Sequence, residues 1–372
     1  MSLACLIVLA LLVAAGCASP APTASSQPTP TQPVQNAAPA AEVGARTGGR
    51  AYSPGQPLRP PVHVKAIDGG IVANIPLYAG IDRGYFAAEG LDVELVGLQD
   101  VAASAQAIAT NQVQFSIAVP DPVIFNALNR GVDIRILVSS TTNKPDDKPA
   151  AFMVRNALLD SGQVKSVADL RGHAVSVANP SSQFYIERAL ATGGLTLSDV
   201  TTVRMQGLPE ILAALKTGNI DAGWLVEPLI TNAERQGVAR VMAGTGQLYP
   251  GAVGTALIMS PPFGRDNPEA ALRFLVAYLR GQRDYYHALN VKDTDPSQVI
   301  DSLTAHTQVK DPSLYRSMGL PSLDPNGTID PTSWDPFQDY YVTHGILERK
   351  VDLSTYLDQS LVNAALDRLG RE

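Results

Sequence analysis

From Val62 onward, short β-branched and aliphatic runs alternate with stretches whose apolar positions recur every three or four residues. The run VHVKAI (62–67) reads as a strand, leading through Asp68-Gly69-Gly70 into a helix from Pro76 to Glu89. In that helix Leu77, Ile81 and Tyr85 share a face, Pro76 sits in the first turn and Gly90 is placed to end it. Further strands are predicted at DVELVGL (92–98), VQFSIAV (113–119) and DIRILVSS (133–140), with helices ending near Thr110 and Arg130. A second series opens at FMVRN near Phe152, with a helix-like turn over Ser166 to Arg171. It runs on through HAVSVAN (173–179), a helix over 182–192, VTTVRMQ, a helix over 209–217, IDAGWLV, a helix over 228–236 and ARVMAG. After Gly254 a strand, TALIMS, is followed by helices only; the one from Asn267 carries Leu272, Leu275, Val276 and Leu279 as a stripe. Such alternation predicts largely parallel sheets covered on both faces, and two series predict two α/β lobes.

One internal echo falls at the ends of strands. TNQVQFSIAV-P-DPV (110–123) and TGNIDAGWLV-EPL (217–229) align with a single one-residue gap, and each ends in an acid-proline pair that opens a helix. If the lobes are related copies, Asp121-Pro122 and Glu227-Pro228 both lie at the carboxyl ends of parallel strands, where open α/β sheets place ligands. Both acids also read as plain helix caps, and the two roles are compatible.

The first sixty residues have a different texture. LACLIVLALLVAA (3–15) is an uncharged apolar run, shorter than the roughly 20 residues a spanning helix needs, and fits the h-region of a signal peptide over 1–16. Ala14-Ala15-Gly16-Cys17 resembles a bacterial lipobox, which makes Cys17 a lipidation candidate; ordinary secretion is the alternative. Residues 17–60 carry nine prolines and few large hydrophobes, the composition of an extended spacer. A lipid on Cys17 would hold the body to a membrane surface.

Composition then removes whole classes. Of 372 residues 45% are hydrophobic and mean hydropathy is near zero (+0.03), too apolar for disorder and too polar for a multi-span membrane protein. With 28 basic and 35 acidic residues the net charge is −7, which argues against a nucleic-acid partner. Both cysteines, Cys5 and Cys17, precede the body, so a disulfide framework, a thiolate metal site and a cysteine nucleophile are excluded there. The motifs GxxxxGK, HExxH, GxSxG and CxxC are absent, and the five histidines have no metal-ligand spacing. The tyrosine pairs at 285–286 and 340–341 read as helix packing.

The run IPLYAGIDRGYFAAEGLDVEL (75–95) resembles the opening strand-helix-strand of solute-binding proteins for nitrate, alkanesulfonates, taurine and thiamine-pyrimidine precursors. VKSVADLRGHAVSV (164–177), SSQFYIERALATGGLTLSDV (181–200), TGNIDAGWLVEP (217–228) and NPEAALRFLVAYLRG (267–281) match the same family in order. The resemblance implies a type II periplasmic-binding fold, with a ligand cleft between two lobes that close about a hinge. Its crossovers would fall near Phe152–Val154 and Thr255–Leu257, giving one lobe from 61–153 plus 257–372 and another from 154–256. It further implies a non-enzymatic, monomeric, exported protein without cofactor or metal. Such a protein hands a small solute to the permease and ATPase of an ABC importer at the outer face of the membrane. Two alternatives share the fold: a thiamine-pyrimidine synthase, whose cysteine-rich iron motif is missing here, and a ligand-sensing partner of a membrane kinase.

By position, the resemblance puts Gly70, Ile71 and Asn74, then Pro120 and Asp121, then Ser140 and Thr141 on ligand-facing loops of the first lobe. From the second lobe it adds Asn179, Ser181, Ser182 and Phe184, then Trp224 and Glu227. The free N–H groups of a helix opening at Ser181-Ser182 suit an anion, unless Ser182 merely caps it, and Trp224 either stacks on a planar ligand or packs in its lobe. No Arg or Lys lies in these loops, which favours a neutral or cationic aromatic, such as a pyrimidine, over nitrate or a sulfonate.

Overall fold

A computed structural model describes residues 52–98 and 100–372. The signal-like run, Cys17 and the spacer up to residue 51 lie outside the described residues. Ten strands follow one another: β1 (Val62–Asp68), β2 (Leu91–Gly97), β3 (Phe115–Ala118), β4 (Arg135–Thr142), β5 (Ala150–Arg155), β6 (Ala174–Val177), β7 (Thr201–Arg204), β8 (Ala222–Val226), β9 (Ala239–Gly244) and β10 (Val253–Met259). They form two five-stranded sheets, ordered β2-β1-β3-β10-β4 and β7-β6-β8-β5-β9. Placing β6, β7, β8, β9 and β5 on β1, β2, β3, β4 and β10 makes the two orders identical. The fold is α/β, of the two-sheet periplasmic-binding type.

The sheets are mixed rather than purely parallel. β10 runs against β3 and β4, and β5 runs against β8 and β9. These are the two strands by which the chain changes sheet. The other strands end at the seam between the sheets, so a strand that enters from the seam must run the opposite way.

The passages between sheets span residues 143–149 and 245–252, earlier than the expected Phe152–Val154 and Thr255–Leu257. Phe152 and Val154 sit inside β5, paired with β8 and β9, and Leu257 is paired with β3. Residues 150–153 therefore lie with the second sheet and 253–256 with the first. The apolar pattern of each crossing strand begins as soon as the polar passage ends, so the true boundary is the turn-rich segment NKPDDKP (143–149).

Local chemistry explains two further departures. The first helix stops at Asp82 and a separate turn, Tyr85–Ala88, follows Gly84 at φ +70°, a conformation glycine tolerates. Its expected face survives the break, since Leu77 and Tyr85 are buried together with Ile81 at the edge of their cluster. Gly90, at φ +77°, leaves no room for a side chain, because a Cβ would lie 2.2 Å from the Leu58 nitrogen. That close approach seats the last part of the expected spacer, 52–60, on the first sheet's side. Tyr52 Oη donates to Glu89 Oε1 at 2.5 Å, Tyr52 and Leu58 pack on the apolar core, and Arg273 Nη1 donates to the Gln56 carbonyl at 2.8 Å.

The first core centres on the helix Pro268–Tyr285, where Leu275, Val276 and Leu279 are buried as the stripe predicts. Phe274 of the same helix stacks on Phe115 of β3 at 3.6 Å between centroids. Phe152, Val175, Ile186, Leu190 and Trp224 build a core under the second sheet. Each such burial contributes about 1.5–3 kcal/mol. The described residues nevertheless fall in one compact unit, because the tail after residue 316 returns across both sheets.

Candidate functional site

The carboxyl ends of β1, β3, β6 and β8 feed four turns, and these hold most of the predicted site residues. After β1, the Gly70 nitrogen donates to Asp68 Oδ1 at 2.8 Å, and Tyr78 Oη donates to the same oxygen. Burial, reinforced by the Asp68 contact, holds the Tyr78 hydroxyl well above the ordinary tyrosine range. Ile71 is exposed (47%), whereas Asn74 is buried (2%). Asn74 Nδ2 donates to the Ile67 carbonyl at 3.2 Å, which fixes the orientation of the amide. Its Oδ1 is a buried acceptor with no protein partner. The same residue lines a small pocket of about 10 Å³, together with Ile67, Ser116 and Tyr278.

After β3, Asp121 caps the helix Pro122–Asn129 by accepting from the Val123 nitrogen at 2.8 Å. Its other oxygen accepts from Ser181 Oγ of the second sheet's first helix at 3.4 Å. The Pro120 carbonyl accepts from Tyr341 Oη at 2.9 Å, and that hydroxyl also meets Ser181 Oγ at 3.2 Å. Pro120, Asp121 and Ser181 thus meet across the seam, with Val123 presenting apolar surface beside them (40% exposed).

The helix expected over 182–192 begins earlier, at Pro180, with Asn179 rather than Ser182 as its cap. Asn179 Oδ1 accepts from the Ser182 nitrogen at 2.8 Å, while Ser182 Oγ donates back to the Asn179 carbonyl at 2.9 Å. Pro180 has no N–H and that of Ser182 is occupied. The first turn therefore offers an anion little beyond the Ser181 N–H.

Trp224 is buried (4%) in the second sheet's core, with Tyr185 stacked on it at 4.8 Å between centroids and 8° between planes. Burial pushes the Tyr185 hydroxyl up to about 12. Phe184 is buried against Phe337 of the tail at 4.1 Å, with the Arg188 guanidinium over its ring at 5.4 Å. Glu227 accepts from the Thr231 nitrogen and from Thr231 Oγ1, both at 3.0 Å, and from the Gly319 nitrogen at 2.8 Å.

Ser140 and Thr141 lie near the seam end of β4, but their hydroxyls are taken up by partners on the first sheet's side. Ser140 Oγ bonds Tyr278 Oη at 2.7 Å and Thr141 Oγ1 bonds Thr255 Oγ1 at 2.9 Å, all buried within the first sheet's layer. Among the described residues no group of three or more His, Cys, Asp or Glu is arranged to hold a metal ion, and no helix is long and apolar enough to cross a membrane.

A family model described as "NMT1/THI5 like" matches residues 72–288, more than half of the chain. The chain belongs to the NMT1/THI5-like family. Among curated proteins it is 29% identical over 167 residues to a putative aliphatic sulfonates-binding protein of Escherichia coli, covering 43% of this chain and about half (51%) of that one. It is 26% identical over 354 residues to the riboflavin-binding protein RibY of Chloroflexus aurantiacus, covering 89% of this chain and 91% of that one. Solved structures share the fold at low identity. A sulfonate-binding SsuA from Methylobacillus flagellatus matches at TM-score 0.64 and 16% identity, over 85% of this chain and 97% of that one. The nitrate-binding NrtA from Synechocystis matches at 0.62 and 16%, over 83% and 89%. The desulfurization enzyme DSZB matches at 0.62 and 15%, over 82% and 99%.

For this NMT1/THI5-like chain, sequence reasoning missed the tail. Tyr341, Phe337 and Gly319 reach the seam, yet Tyr340-Tyr341 reads from sequence as packing alone. The packing is real, with Tyr341 fully buried beside Phe125, but its hydroxyl is also a seam contact. Burial first, with the Asp121 charge acting the same way against the opposing Ser181 bond, holds that phenol above its ordinary range. Tyr185 was also missed; its one cue is the i to i+1 neighbourhood of Phe184 at a helix start.

Proposed function

We propose that the chain is the solute-binding component of an ABC import system, and that it takes a planar, neutral or cationic aromatic heterocycle bearing N–H or O–H donors. The observation that carries the reading is the meeting of Asp121 with Ser181 across the seam, with no Arg or Lys in the turns that flank it. A carboxylate there repels an anion and accepts from a donor. Asn74 Oδ1, a second acceptor without a protein partner, has the same preference. Tyr185, part-buried over Trp224, and the exposed Ile71 and Val123 supply aromatic and apolar surface at these turns. A relative named for riboflavin binding, matched over most of both chains, supports this class.

The protein acts by binding rather than catalysis, is exported, and is held at the outer face of the membrane by a lipid on Cys17. A sulfonate is the second reading, favoured by the shorter match to the sulfonates-binding protein. Calorimetric titration of the full chain with riboflavin, a pyrimidine, taurine and nitrate separates the two. Saturable binding of a heterocycle, weakened by Asp121→Lys, is the expected result. Binding of taurine or nitrate alone, strengthened by Asp121→Lys, would sink the reading. For the anchor, Cys17→Ser is expected to move the protein from the membrane fraction to the soluble one, and unchanged retention excludes the lipid.

A further inference from the structure

The tail touches both flanks of the seam and both passages between the sheets. On one flank the Gly319 nitrogen donates to Glu227 Oε1 at 2.8 Å, and Ser317 Oγ accepts from Arg235 Nη2 at 3.0 Å. On the other flank lies the helix Asp335–Thr343. From it Tyr340 Oη donates to Glu187 Oε1 at 2.7 Å, Tyr341 Oη meets Ser181 Oγ, and Phe337 packs on Phe184.

Between these flanks the tail lies on the passages themselves. Ser322 Oγ donates to Asp147 Oδ1 at 3.0 Å on the first passage, and Tyr249 Oη of the second donates to the Ser333 carbonyl at 2.7 Å. Trp334 Nε1 donates to the Val253 carbonyl at 2.7 Å, and a Cβ on Gly319 would lie 2.7 Å from the Lys148 carbonyl oxygen. A segment fixed at a hinge, and tied through side chains to the far sheet on either side, limits how far that hinge swings.

We propose that residues 317–341 are a clasp across the seam, setting how far the two sheets part when solute enters or leaves. Glu227, Arg235, Glu187 and Ser181 are then its polar attachment points on the second sheet's side. That the seam is where solute passes rests on the function proposed above; the clasping itself does not.

The test uses no solute, so a wrong solute assignment leaves its outcome unchanged. Spin labels are placed at Arg130→Cys and Lys216→Cys, both exposed and one on each sheet's side, in the full chain with Cys5→Ser and Cys17→Ser. Pulsed dipolar spectroscopy then reads the distribution of distances between the labels. The pair Tyr340→Phe/Tyr341→Phe keeps both rings and removes the hydroxyl contacts. It is expected at least to double the population at long distance. Tyr278→Phe, which removes a buried bond to Ser140 in which the tail takes no part, is expected to leave the distribution as it was. A folded double variant with the original distribution, or equal broadening in Tyr278→Phe, overturns the clasp. Should the double variant fail to fold, Tyr340→Phe alone, at a half-buried position, carries the same expectation and the same refutation.

Discussion

Asp121 and Glu227 occupy matched places, each directly before the proline that follows the third strand of its sheet, yet they hold different things. Asp121 has one methylene fewer. It closes a short ring onto the Val123 nitrogen and keeps its second oxygen for the opposite sheet. Glu227 reaches four residues ahead to Thr231 and sideways to the tail. Repeating a strand order therefore fixes where a turn lies. The length of one side chain and the identity of its neighbours decide what the turn does. Symmetry alone would give both acids one role, whereas their contacts differ: Asp121 bonds the opposite sheet's helix and Glu227 its own helix and the tail.

The sharpest way to break this contrast is to remove each acid in turn and compare the costs. Glu227→Ala leaves three donors without a charged acceptor, two of them on the buried Thr231, and is expected to cost about 2–3 kcal/mol in urea denaturation. Asp121→Ala removes one cap and one long contact, and should cost about 1 kcal/mol. Equal costs would mean that the tail contact to Glu227 contributes nothing. Ser181→Ala, whose bonds are both 3.2 Å or longer, should stay within about 0.5 kcal/mol while shifting solute affinity.

Much of this architecture is readable from residues alone, and the reasons differ by element. Strand and helix alternation is a local signal, so the two α/β series and the Leu275-Val276-Leu279 stripe emerge from periodicity. The positions of the crossings were readable too, in the proline- and aspartate-rich NKPDDKP, but the apolar strands after the turns drew the boundary forward. The cap of the helix at 180 was hidden by two adjacent serines, although Asn-Pro is the stronger start. The tail could not be placed at all. An amphipathic pattern around Phe337 and Tyr341 says that a face is buried, and nothing about which sheet buries it.

The smallest expected effect compares the strands that open each sheet. His63, on β1, faces Asp92 and Glu94 of β2, while His173, just before β6, faces Asp221, which Arg155 also approaches. The hydrogen bond to Asp92, against a smaller burial penalty and with help from Glu94, raises the His63 pKa above its ordinary value of 6.5. A raised value means that the folded state holds the proton more tightly than the unfolded chain. This contribution is therefore complete below about pH 6.5 and disappears as pH rises through the folded-state value. Because the His63 side chain is half exposed (52%), solvent screening holds the effect to a few tenths of a kcal/mol. Urea denaturation of the parent and of His63→Asn should differ at pH 5.5 and converge by pH 8.5. A difference that persists or grows at the higher pH would mean that His63 contributes by packing, and that its two carboxylate neighbours do not act on it as a charge.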